Sequence, residues 1–510
     1  MYLRCFIVVS LFFFMTGAQE YEVLSYQKLN SSSTNFSYIL DDEDWFGHSV
    51  EGIGDINGDG VNDLAVGANQ DDDGGTNKGA IYILFLNQDG SINSTQKISE
   101  TEGGFNASLI EWDYFGRSIS YLGDLNNDGL TEIAVGAEYD NEAGHRHGGI
   151  YILSLLSDGT VSSYQKINEI QGNFTGIIDV WDVFGSDITN IGDLNGDGNS
   201  DIAVGARRDG DGGQESGAVW VLFLNSDFTV NSHQKISATS GNLNLNFDFQ
   251  DYFGSSVTNL GDLNGDGIID LAVGAYRDDD GGTNKGAIYI LFMNSDGTVN
   301  SSQKISETNG GLSDTLSQEL RFGRSSSYIG DLNDDGKPEL IVGCQSNLFY
   351  ILNLNADGTV DSFEKYGAGL NNFTGTLGSD DFFGFSVANI GDLGGQQSIA
   401  VGAFGDSVNG YNKGAIWILK LKKEALSIED FSSKQDIKLY PNPANNSISF
   451  TGNMSGYSFR IYEQTGRLVS SSLINQTNQY DISMLSKGMY IVVLNESFSN
   501  SSFTYKLIKN

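Results

Sequence analysis

Positively charged side chains are scarce in this sequence. The 510 residues include 28 Lys and Arg against 66 Asp and Glu, which gives a formal net charge of -38 at pH 7. Affinity for nucleic acid depends on Lys and Arg that neutralise phosphates and release counterions, so we expect no nucleic-acid partner. The acidic excess favours either a chain that binds cations or a solvated surface that aids solubility.

Long hydrophobic runs are missing as well. No segment after the N-terminus has the length that a membrane span requires, and we expect no transmembrane segment. Residues 1–18 combine Arg4, an apolar run from Cys5 to Met15 and small residues from Thr16 to Ala18, a pattern typical of a secretory signal peptide. The sequence therefore predicts a protein that is secreted or held at the outer cell surface.

Cysteine and proline are almost absent. Removal of the signal peptide leaves Cys344 as the one cysteine, so no disulfide forms within the mature chain and stability must come from packing or from bound metal. The chain has 3 prolines, 65 glycines, 23 tyrosines and 30 phenylalanines. This composition indicates an all-β protein in which Gly, Asn and Asp turns join aromatic and β-branched strands.

The sequence does contain an internal repeat, and a period of this kind dictates the architecture. The repeated segment reads GDLNGDGIIDLAVGA at 261–275, and its copies are spaced by 69 residues four times and by 61 once. The copies begin at Gly54, Gly123, Gly192, Gly261, Gly330 and, in degenerate form, Gly391. A Phe-Gly pair keeps the same order at Phe46, Phe115, Phe184, Phe253, Phe322 and Phe383. So does the lysine of a QKI-like strand, at Lys28, Lys97, Lys166, Lys235, Lys304 and Lys365.

Four strands are predicted between one Phe-Gly pair and the next. In the fourth repeat they are Phe253–Leu260, Asp270–Ala275, Ala287–Met293 and Thr298–Ser306. The third strand is apolar on both faces, so other residues must cover both of its sides. Four-stranded sheets that stack face to face around an axis, as in a β-propeller, satisfy this condition, and a solenoid is the alternative.

The two ends of the repeat region favour the propeller. The N-terminal strand Gln27–Leu29 has no preceding strands of its own, whereas the last repeat, Phe383–Leu421, has no fourth strand. These parts complete one another if the chain closes on itself. We therefore predict a six-bladed β-propeller over residues 19–421, with the N-terminal strand as the outer strand of the last blade.

The periodicity ends after Leu421. Residues 422–436 form a predicted linker, and residues 437–510 hold two of the three prolines, followed by strands at Ser458–Tyr462, at Arg467–Leu473 and from Gly488, with a turn at Gly466. This region is predicted to be a separate small β-sandwich.

Each of the first five copies contains an acidic loop. In the fourth copy, positions one, three, five, six and nine of this loop are Asp262, Asn264, Asp266, Gly267 and Asp270. Alternate positions of a tightly curled loop direct their oxygens to one centre, and hard oxygen ligands favour Ca²⁺ over Mg²⁺ or Zn²⁺. Hairpin turns alone are the alternative. However, carboxylates held about 4 Å apart repel by roughly 1 kcal/mol in water, so a turn has no reason to gather three of them five times.

About five Ca²⁺ sites are therefore predicted, each pinning a hairpin and so structural. The sixth copy begins with Asp392 and loses every later ligand. The predicted ligands, in the order of positions one, three, five, seven (backbone carbonyl) and nine, are Asp55, Asn57, Asp59, Val61 and Asp63; Asp124, Asn126, Asp128, Leu130 and Glu132; Asp193, Asn195, Asp197, Asn199 and Asp201; Asp262, Asn264, Asp266, Ile268 and Asp270; and Asp331, Asn333, Asp335, Lys337 and Glu339.

The Phe-Gly and Gly-Ala pairs, the D-x-N-x-D-G-x-x-D loop and the GAIYIL strand resemble the FG-GAP repeats of the integrin α-subunit propeller. The resemblance covers roughly residues 27–421. It implies Ca²⁺ in the loops between the first and second strands, on one face, and ligand binding on the opposite face. Integrin propellers have a seventh blade, whereas this sequence has six repeats, so the resemblance does not imply an integrin-type partner.

The C-terminal region resembles the type A sorting domain of the bacterial type IX secretion system. The resemblance rests on LYPNPA at Leu439–Ala444, on Gly466, on the LSKGMYIVVL stretch and on the basic KLIKN end. It implies export across an outer membrane by the type IX secretion machinery, removal of this domain, and release or attachment at the cell surface. An ordinary adhesive sandwich domain is the alternative.

No catalytic motif is apparent, since the sequence lacks a nucleophile elbow, a zinc-binding helix motif and a phosphate loop. We assign no catalytic residue and expect a protein that is not an enzyme. Acidic DDDGG loops and the residues Trp45, Trp112, Trp181 and Phe382 before Phe-Gly pairs could contact a ligand or serve as solvated turns and packing elements. We expect a monomer that binds a protein or glycan on the face opposite the acidic loops. A polysaccharide-degrading enzyme and a structural cell-envelope protein remain alternatives.

Overall fold

The computed structural model describes residues 21–333, 335–408, 410–423, 437–451, 457–463, 468–474, 479–496 and 502–510. The chain divides into two compact units, Met1–Glu424 and Ala425–Asn510. The described residues form strands and no helix, so the prediction of an all-β protein is confirmed. The predicted signal peptide at 1–18 and linker residues 424–436 lie outside the described residues. No helix in the described part of the chain has the length and apolarity of a membrane span.

Six antiparallel four-stranded sheets make up the described part of the first unit, and they are consistent with a β-propeller. The chain starts with β1 (Tyr21–Leu29). The next sheets, each with its strands in chain order, are β2 (Ser49–Gly54), β3 (Asp63–Ala68), β4 (Ala80–Leu86) and β5 (Ile92–Ile98); β6 (Phe115–Gly123), β7 (Thr131–Ala137), β8 (Gly149–Leu155) and β9 (Val161–Ile167); β10 (Phe184–Gly192), β11 (Asp201–Ala206), β12 (Ala218–Leu224) and β13 (Val230–Ile236); β14 (Phe253–Asn259), β15 (Asp270–Ala275), β16 (Ala287–Met293) and β17 (Val299–Ile305); and β18 (Ser325–Gly330), β19 (Glu339–Gly343), β20 (Leu348–Leu354) and β21 (Val360–Gly367).

The remaining sheet of this unit joins the two ends of the repeat region. Its strands are β22 (Val387–Asp392), β23 (Gln397–Ala403) and β24 (Ala415–Lys423), and β1 forms its fourth strand. β1 runs antiparallel to β24, with Lys28 opposite Trp417. The N-terminal strand therefore occupies the position that the QKI-like strand has in the other sheets.

The sequence pattern explains why the strands lie where they do. Every residue of β16 is buried, as its apolar run predicts, whereas the middle of β17 is more accessible. In the fourth repeat the second and third strands have the predicted bounds. The first ends one residue earlier, at Asn259, and the fourth loses one residue at each end. The apolar strands β3 and β4 are likewise buried throughout, so the core lies between neighbouring sheets.

Neighbouring sheets approach closely at the glycine near the end of each second strand, which belongs to a Gly-Ala pair or, in the fifth repeat, to Gly343-Cys344. A Cβ added to Gly67 would lie 2.1 Å from the carbonyl oxygen of Gly116 in the next sheet, a distance that no side chain tolerates. Five other pairs repeat this contact at 2.0 to 2.3 Å: Gly136 with Gly185, Gly205 with Gly254, Gly274 with Gly323, Gly343 with Gly384, and Gly402 with Gly47. The last of them joins the sixth repeat to the first.

The fifth repeat lacks most of the loop between its second and third strands, because only residues 344–347 separate β19 from β20. In the fourth repeat, the carbonyl of Lys285 in this loop accepts a hydrogen bond from the N–H of Phe322 (3.0 Å). In the fifth, the side-chain oxygen of Asn347 accepts it instead, from the N–H of Phe383 (2.8 Å). One amide side chain thus replaces the missing loop carbonyl.

The second unit contains two sheets around one core. One sheet consists of β25 (Leu439–Tyr440), β26 (Ser447–Phe450) and β29 (Gln479–Asp481), and the other of β27 (Tyr457–Glu463), β28 (Leu468–Leu473), β30 (Gly488–Glu496) and β31 (Ser502–Lys509). Phe450 of the first sheet and Phe459 of the second pack at a ring distance of 5.6 Å. The predicted turn at Gly466 lies outside the described residues.

Candidate functional site: the acidic loops and the central channel

The acidic loops (55–63, 124–132, 193–201, 262–270 and 331–339) connect the first and second strands of the first five sheets. In the fourth, the carboxylate of Asp262 accepts the backbone N–H groups of Gly265 (2.7 Å), Asp266 (3.0 Å) and Gly267 (2.8 Å). Gly267 has a φ of +89°, a conformation that glycine adopts without strain. The loop therefore curls around the side chain at position one.

The side chains at positions three and five fold into the same loop. The Asn264 side-chain oxygen accepts the N–H of Asp266 (2.8 Å), and its side-chain nitrogen donates to the Asp266 carboxylate (3.0 Å). The same carboxylate accepts the N–H of Ile268 at position seven (2.9 Å). These hydrogen bonds hold positions one, three and five together within one compact loop.

The carboxylate at position nine is buried and anchors the loop to the third strand. Asp270 accepts the N–H of Leu263 within the loop (3.0 Å) and the N–H of Met293 in β16 (3.2 Å). Burial raises the pKa of Asp270 to about 6. Burial raises the pKa of Asp201 to about 6 as well, that of Asp63 and Glu339 to about 7, and that of Glu132 above its ordinary value.

The contacts among positions one, three, five, six and seven recur in all five loops. In each, the N–H at position five donates to the side chains at positions one and three, and the N–H at position six donates to position one. The sets are Asp55, Asn57, Asp59 and Val61; Asp124, Asn126, Asp128 and Leu130; Asp193, Asn195, Asp197 and Asn199; Asp262, Asn264, Asp266 and Ile268; and Asp331, Asn333, Asp335 and Lys337.

The donor set fits a hard divalent cation. In the fifth loop, one carboxylate oxygen from each of Asp331, Asp335 and Glu339 lies within 4.8 Å of the others, the one such group of three among the described residues. All side-chain donors in these loops are carboxylate or amide oxygens, which Ca²⁺ prefers. In the sixth repeat only residues 393–396 separate the strands, and Asp392 bonds the N–H of Gly395 (2.6 Å). That loop has no comparable set.

The acids of the loops between second and third strands have a structural partner that sequence reasoning missed. Lys97, the QKI lysine, pairs with Asp71 (2.8 Å) and Asp73 (2.7 Å), and Tyr82 donates to Asp71 (2.9 Å). The common period of the lysine and the acids was the signal for it. Equivalent pairs are Lys28 with Asp406; Lys166 with Asp140 and Glu142; Lys235 with Asp209 and Asp211; and Lys304 with Asp278 and Asp280.

The aromatic residues before the Phe-Gly pairs divide between the two interpretations. Trp45 packs against Phe404 (4.9 Å), and Trp181 lies under Arg146 (4.0 Å), as packing elements do. Trp112, however, remains 46% exposed. The interpretation as packing therefore holds for Trp45 and Trp181, while Trp112 stays accessible to a ligand.

A central channel lies between the first strands of the sheets, with a cavity of about 240 Å³. We use the name channel mouth for its end away from the acidic loops. Sequence reasoning missed this site, although its residues keep fixed positions in the repeat. The residues directly after the Phe-Gly pairs line it (His48, Arg117, Ser186, Ser255, Arg324 and Phe385). Four residues directly after second strands contact these lining residues: Glu138, Arg207, Tyr276 and Phe404.

Asp113, before the second Phe-Gly pair, should make the stability of the protein depend on pH. It is fully buried and accepts the N–H of Ile110 (2.7 Å). Burial, with the nearby charge of Asp140, raises the pKa of Asp113 to about 7, although Lys166 opposes this. Because the folded state then binds the proton more tightly, the stability of the wild type falls as pH rises from about 4 to about 7.

We expect Asp113→Asn to remove this dependence, since the amide keeps the hydrogen bond and carries no charge. The free energy of unfolding of the variant, relative to that of the wild type, should rise by roughly 2–3 kcal/mol between pH 5 and pH 8. Denaturant unfolding at the two pH values measures it. The control is Asp248→Asn, an exposed carboxylate in the equivalent loop two repeats later. A gain that does not change with pH would contradict the explanation.

Two family descriptions match parts of the chain, one in each unit. Residues 46–84, 184–222 and 253–291 match the family described as FG-GAP repeat, and residues 438–510 match the family described as secretion system C-terminal sorting domain. The chain is 28% identical over 251 residues to integrin alpha pat-2 of Caenorhabditis elegans, covering 46% of this chain and 18% of that protein. It is 31% identical over 265 residues to integrin alpha-5 of Xenopus laevis, covering 50% and 22%.

The chain thus spans about a fifth of the length of these relatives. A solved structure described as PorZ, an essential bacterial surface component of the type-IX secretion system of Porphyromonas gingivalis, is 12% identical. It covers 91% of this chain and 59% of that chain with a TM-score of 0.39, a value too low to indicate a shared fold.

Proposed function

Because the chain carries FG-GAP repeats followed by a type IX secretion system sorting domain, we propose that it is an exported six-bladed β-propeller that binds Ca²⁺ and serves as an adhesion or binding module. The sorting domain directs the chain to the outer cell surface or the extracellular space. The proposed partners are the type IX secretion machinery, through residues 437–510, and a protein or glycan ligand. Neither an integrin-type partner nor catalysis forms part of the proposal.

Closure of the propeller is supported by contacts between the last repeat and the first. The Gly402 to Gly47 approach completes a ring of six equivalent contacts. In addition, Phe46 forms a parallel bridge with Gly414, as Phe115 does with Gly79 of the preceding repeat. A solenoid would leave its first and last repeats without these contacts.

Ca²⁺ binding is supported by the five equivalent oxygen donor sets. In each loop a buried carboxylate at position nine stands next to two exposed acids, and a cation would neutralise this charge. The chemistry that the ion supplies is electrostatic and structural, since it would hold the first strand to the second within a sheet.

Ligand binding opposite the acidic loops rests on where exposed apolar side chains lie. Two sets of loops meet at the same end of the sheets: those before the Phe-Gly pairs and those between the second and third strands. The backbone N–H of Trp112 donates to the carbonyl of Thr76 (3.0 Å), and that of Phe115 donates to the carbonyl of Lys78 (2.9 Å). Exposed apolar side chains on these loops mark an interaction surface. They are Ile39, Ile110, Trp112, Ile177, Val180, Phe249, Val408 and Tyr411.

The proposal is tested by two variants on this surface and a control at the other end. Trp112→Ser and Phe249→Ser remove side chains that are 46% and 62% exposed. Leu156→Ser removes one of similar exposure (41%), in the turn after β8, beside the acidic loops. Binding of the full chain is measured with Ca²⁺ on a glycan array and by pull-down from extracellular protein. We expect the first two variants to lose about tenfold or more in affinity and the control to keep it.

Equal binding by all three variants would contradict a ligand surface at this end. Absence of any ligand in both assays would favour a structural role in the cell envelope. Release of reducing ends from a polysaccharide panel would overturn the exclusion of catalysis and favour the enzyme alternative.

A further inference from the structure

One buried cation at the channel mouth has no counterion. Arg324 is 7% exposed, and no carboxylate or other hydrogen-bond acceptor contacts its guanidinium in the part of the chain that the structure describes. The guanidinium instead lies over the ring of Phe385 (4.1 Å) and near that of Tyr276 (5.0 Å). Aromatic faces stabilise a cation only modestly, so burial of this charge is incompletely compensated.

The neighbouring arginines add to the positive charge. Arg117 pairs with Glu138 through Nε (3.0 Å), and Arg207 binds the same carboxylate at 3.0 to 3.2 Å. Arg117 and Arg207 thus share a single carboxylate, and Arg117 lines the same cavity as Arg324. Burial and the charges of Arg117 and Arg207 lower the pKa of Arg324 to about 9.

Among the other titratable groups, Tyr276 lies beside Arg324; burial would raise its pKa, but the charges of Arg207, Arg324 and Arg277 lower it. The remaining titratable groups of the channel that the structure describes do not pair with Arg324. His48 is buried, and burial holds its pKa well below the ordinary value, so it is neutral. The carboxylate of Asp187 accepts the N–H of Val257 (2.7 Å), and that of Glu51 accepts the N–H of Tyr121 (3.1 Å). Both lie nearer the acidic loops along their strands and are bound to backbone groups.

We propose that the channel mouth is an anion site, in which Arg324 and Arg117 hold one carboxylate of a ligand. The planar guanidinium matches a carboxylate in geometry and binds it through two parallel hydrogen bonds. The cavity of about 240 Å³ has room for a carboxylate and several waters, since a water occupies about 30 Å³. This inference rests on the proposed function: the ligand proposed to bind at the end away from the acidic loops would carry a carboxylate that enters the channel mouth.

The test uses the full chain with Ca²⁺ in a buffer of low chloride. Succinate and a poly-glutamate peptide are titrated by calorimetry, because the carboxylate can come from a free organic acid or from a protein side chain. Arg324→Met should weaken binding about tenfold or more, as loss of a charged hydrogen bond predicts. Arg321→Met is the control, since Arg321 lies three residues away and pairs with Glu319 (3.3 Å). Arg324→Lys keeps the charge without the planar geometry and should bind with intermediate affinity.

Saturable binding of succinate supports a free organic acid as the ligand, and binding of the peptide alone supports an acidic protein side chain. Absence of saturable binding to both probes, or equal affinity in the wild type and Arg324→Met, overturns the site. If Arg324→Met does not fold, the wild type must still melt at a higher temperature with succinate than with chloride of equal ionic strength. If the wild type binds no anion but still shows Trp112-dependent ligand binding, this inference alone is overturned. If it shows neither kind of binding, the proposed function is overturned as well.

Discussion

Removal of Ca²⁺ by excess chelator should lower the melting temperature of the protein. The physical reason is the charge at each acidic loop, where a buried carboxylate such as Asp270 lies beside the acids of positions one and five. Carboxylates about 4 Å apart repel by roughly 4 kcal/mol at an effective dielectric near 20. A bound cation converts this repulsion into attraction, and each site adds about 2.7 kcal/mol when free Ca²⁺ is a hundredfold above its Kd.

The measurement is calorimetric unfolding of the full chain with excess chelator and with millimolar Ca²⁺. A matched pair of variants assigns the effect to the loops. Asp335→Ala removes an acid from the fifth loop, where three carboxylates converge, and should release about one ion and part of the Ca²⁺ stabilisation. Asp392→Ala alters the degenerate sixth loop and should do neither. Equal melting temperatures with excess chelator and with millimolar Ca²⁺ would contradict the proposed Ca²⁺ sites.

Substitution of Gly274 by alanine should destabilise the first unit strongly. Its Cβ would lie 2.1 Å from the carbonyl oxygen of Gly323 in the next sheet and 2.4 Å from the Ser256 hydroxyl. Relief requires that two sheets move apart, because the nearest atom is backbone and has no alternative rotamer. Overpacking of a core costs about 1–3 kcal/mol, and we expect about 3 kcal/mol or more here.

Gly210→Ala is the control for this substitution. Gly210 lies in the loop between β11 and β12 and has no atom within 4 Å of an added Cβ. The control should therefore be neutral or slightly stabilising, since alanine restricts the unfolded chain. Denaturant unfolding of both variants gives the comparison, and equal stabilities would show that the sheets are not in the close contact described.

The strands were predictable because burial imposes a period on the sequence. β15 and β16 have their predicted bounds. The spacing of 61 instead of 69 residues between the last two copies reflects the short loop between the second and third strands of the fifth repeat. Asn347 was not predictable as the substitute for a loop carbonyl, because a side-chain hydrogen bond leaves no mark on the hydrophobic pattern. The lysine of each QKI-like strand was visible as a marker, and the pairing of lysines such as Lys97 and Lys304 with acids of the loop between the second and third strands was indicated only by their common period.

The candidate site was predicted in part for the same reason. Ligands of one acidic loop lie within nine consecutive residues, so local geometry alone holds positions one, three and five together. Whether the three carboxylates of a loop converge depends on the buried residue at position nine and on its contacts with the third strand. In the described residues this convergence is closest at Glu339.

The sequence by itself determined the repeat, the four-stranded unit and the acidic loops, since each depends on contacts between residues close along the chain. Only the tertiary structure decided that Arg117 and Arg207 share the carboxylate of Glu138 while Arg324 lies buried in the same channel without an ion pair to any described residue. These residues belong to different repeats: Arg117 and Arg324 follow the second and fifth Phe-Gly pairs, and Arg207 follows the second strand of the third sheet. The arrangement of the sheets around the channel brings them together, and no local pattern records that proximity.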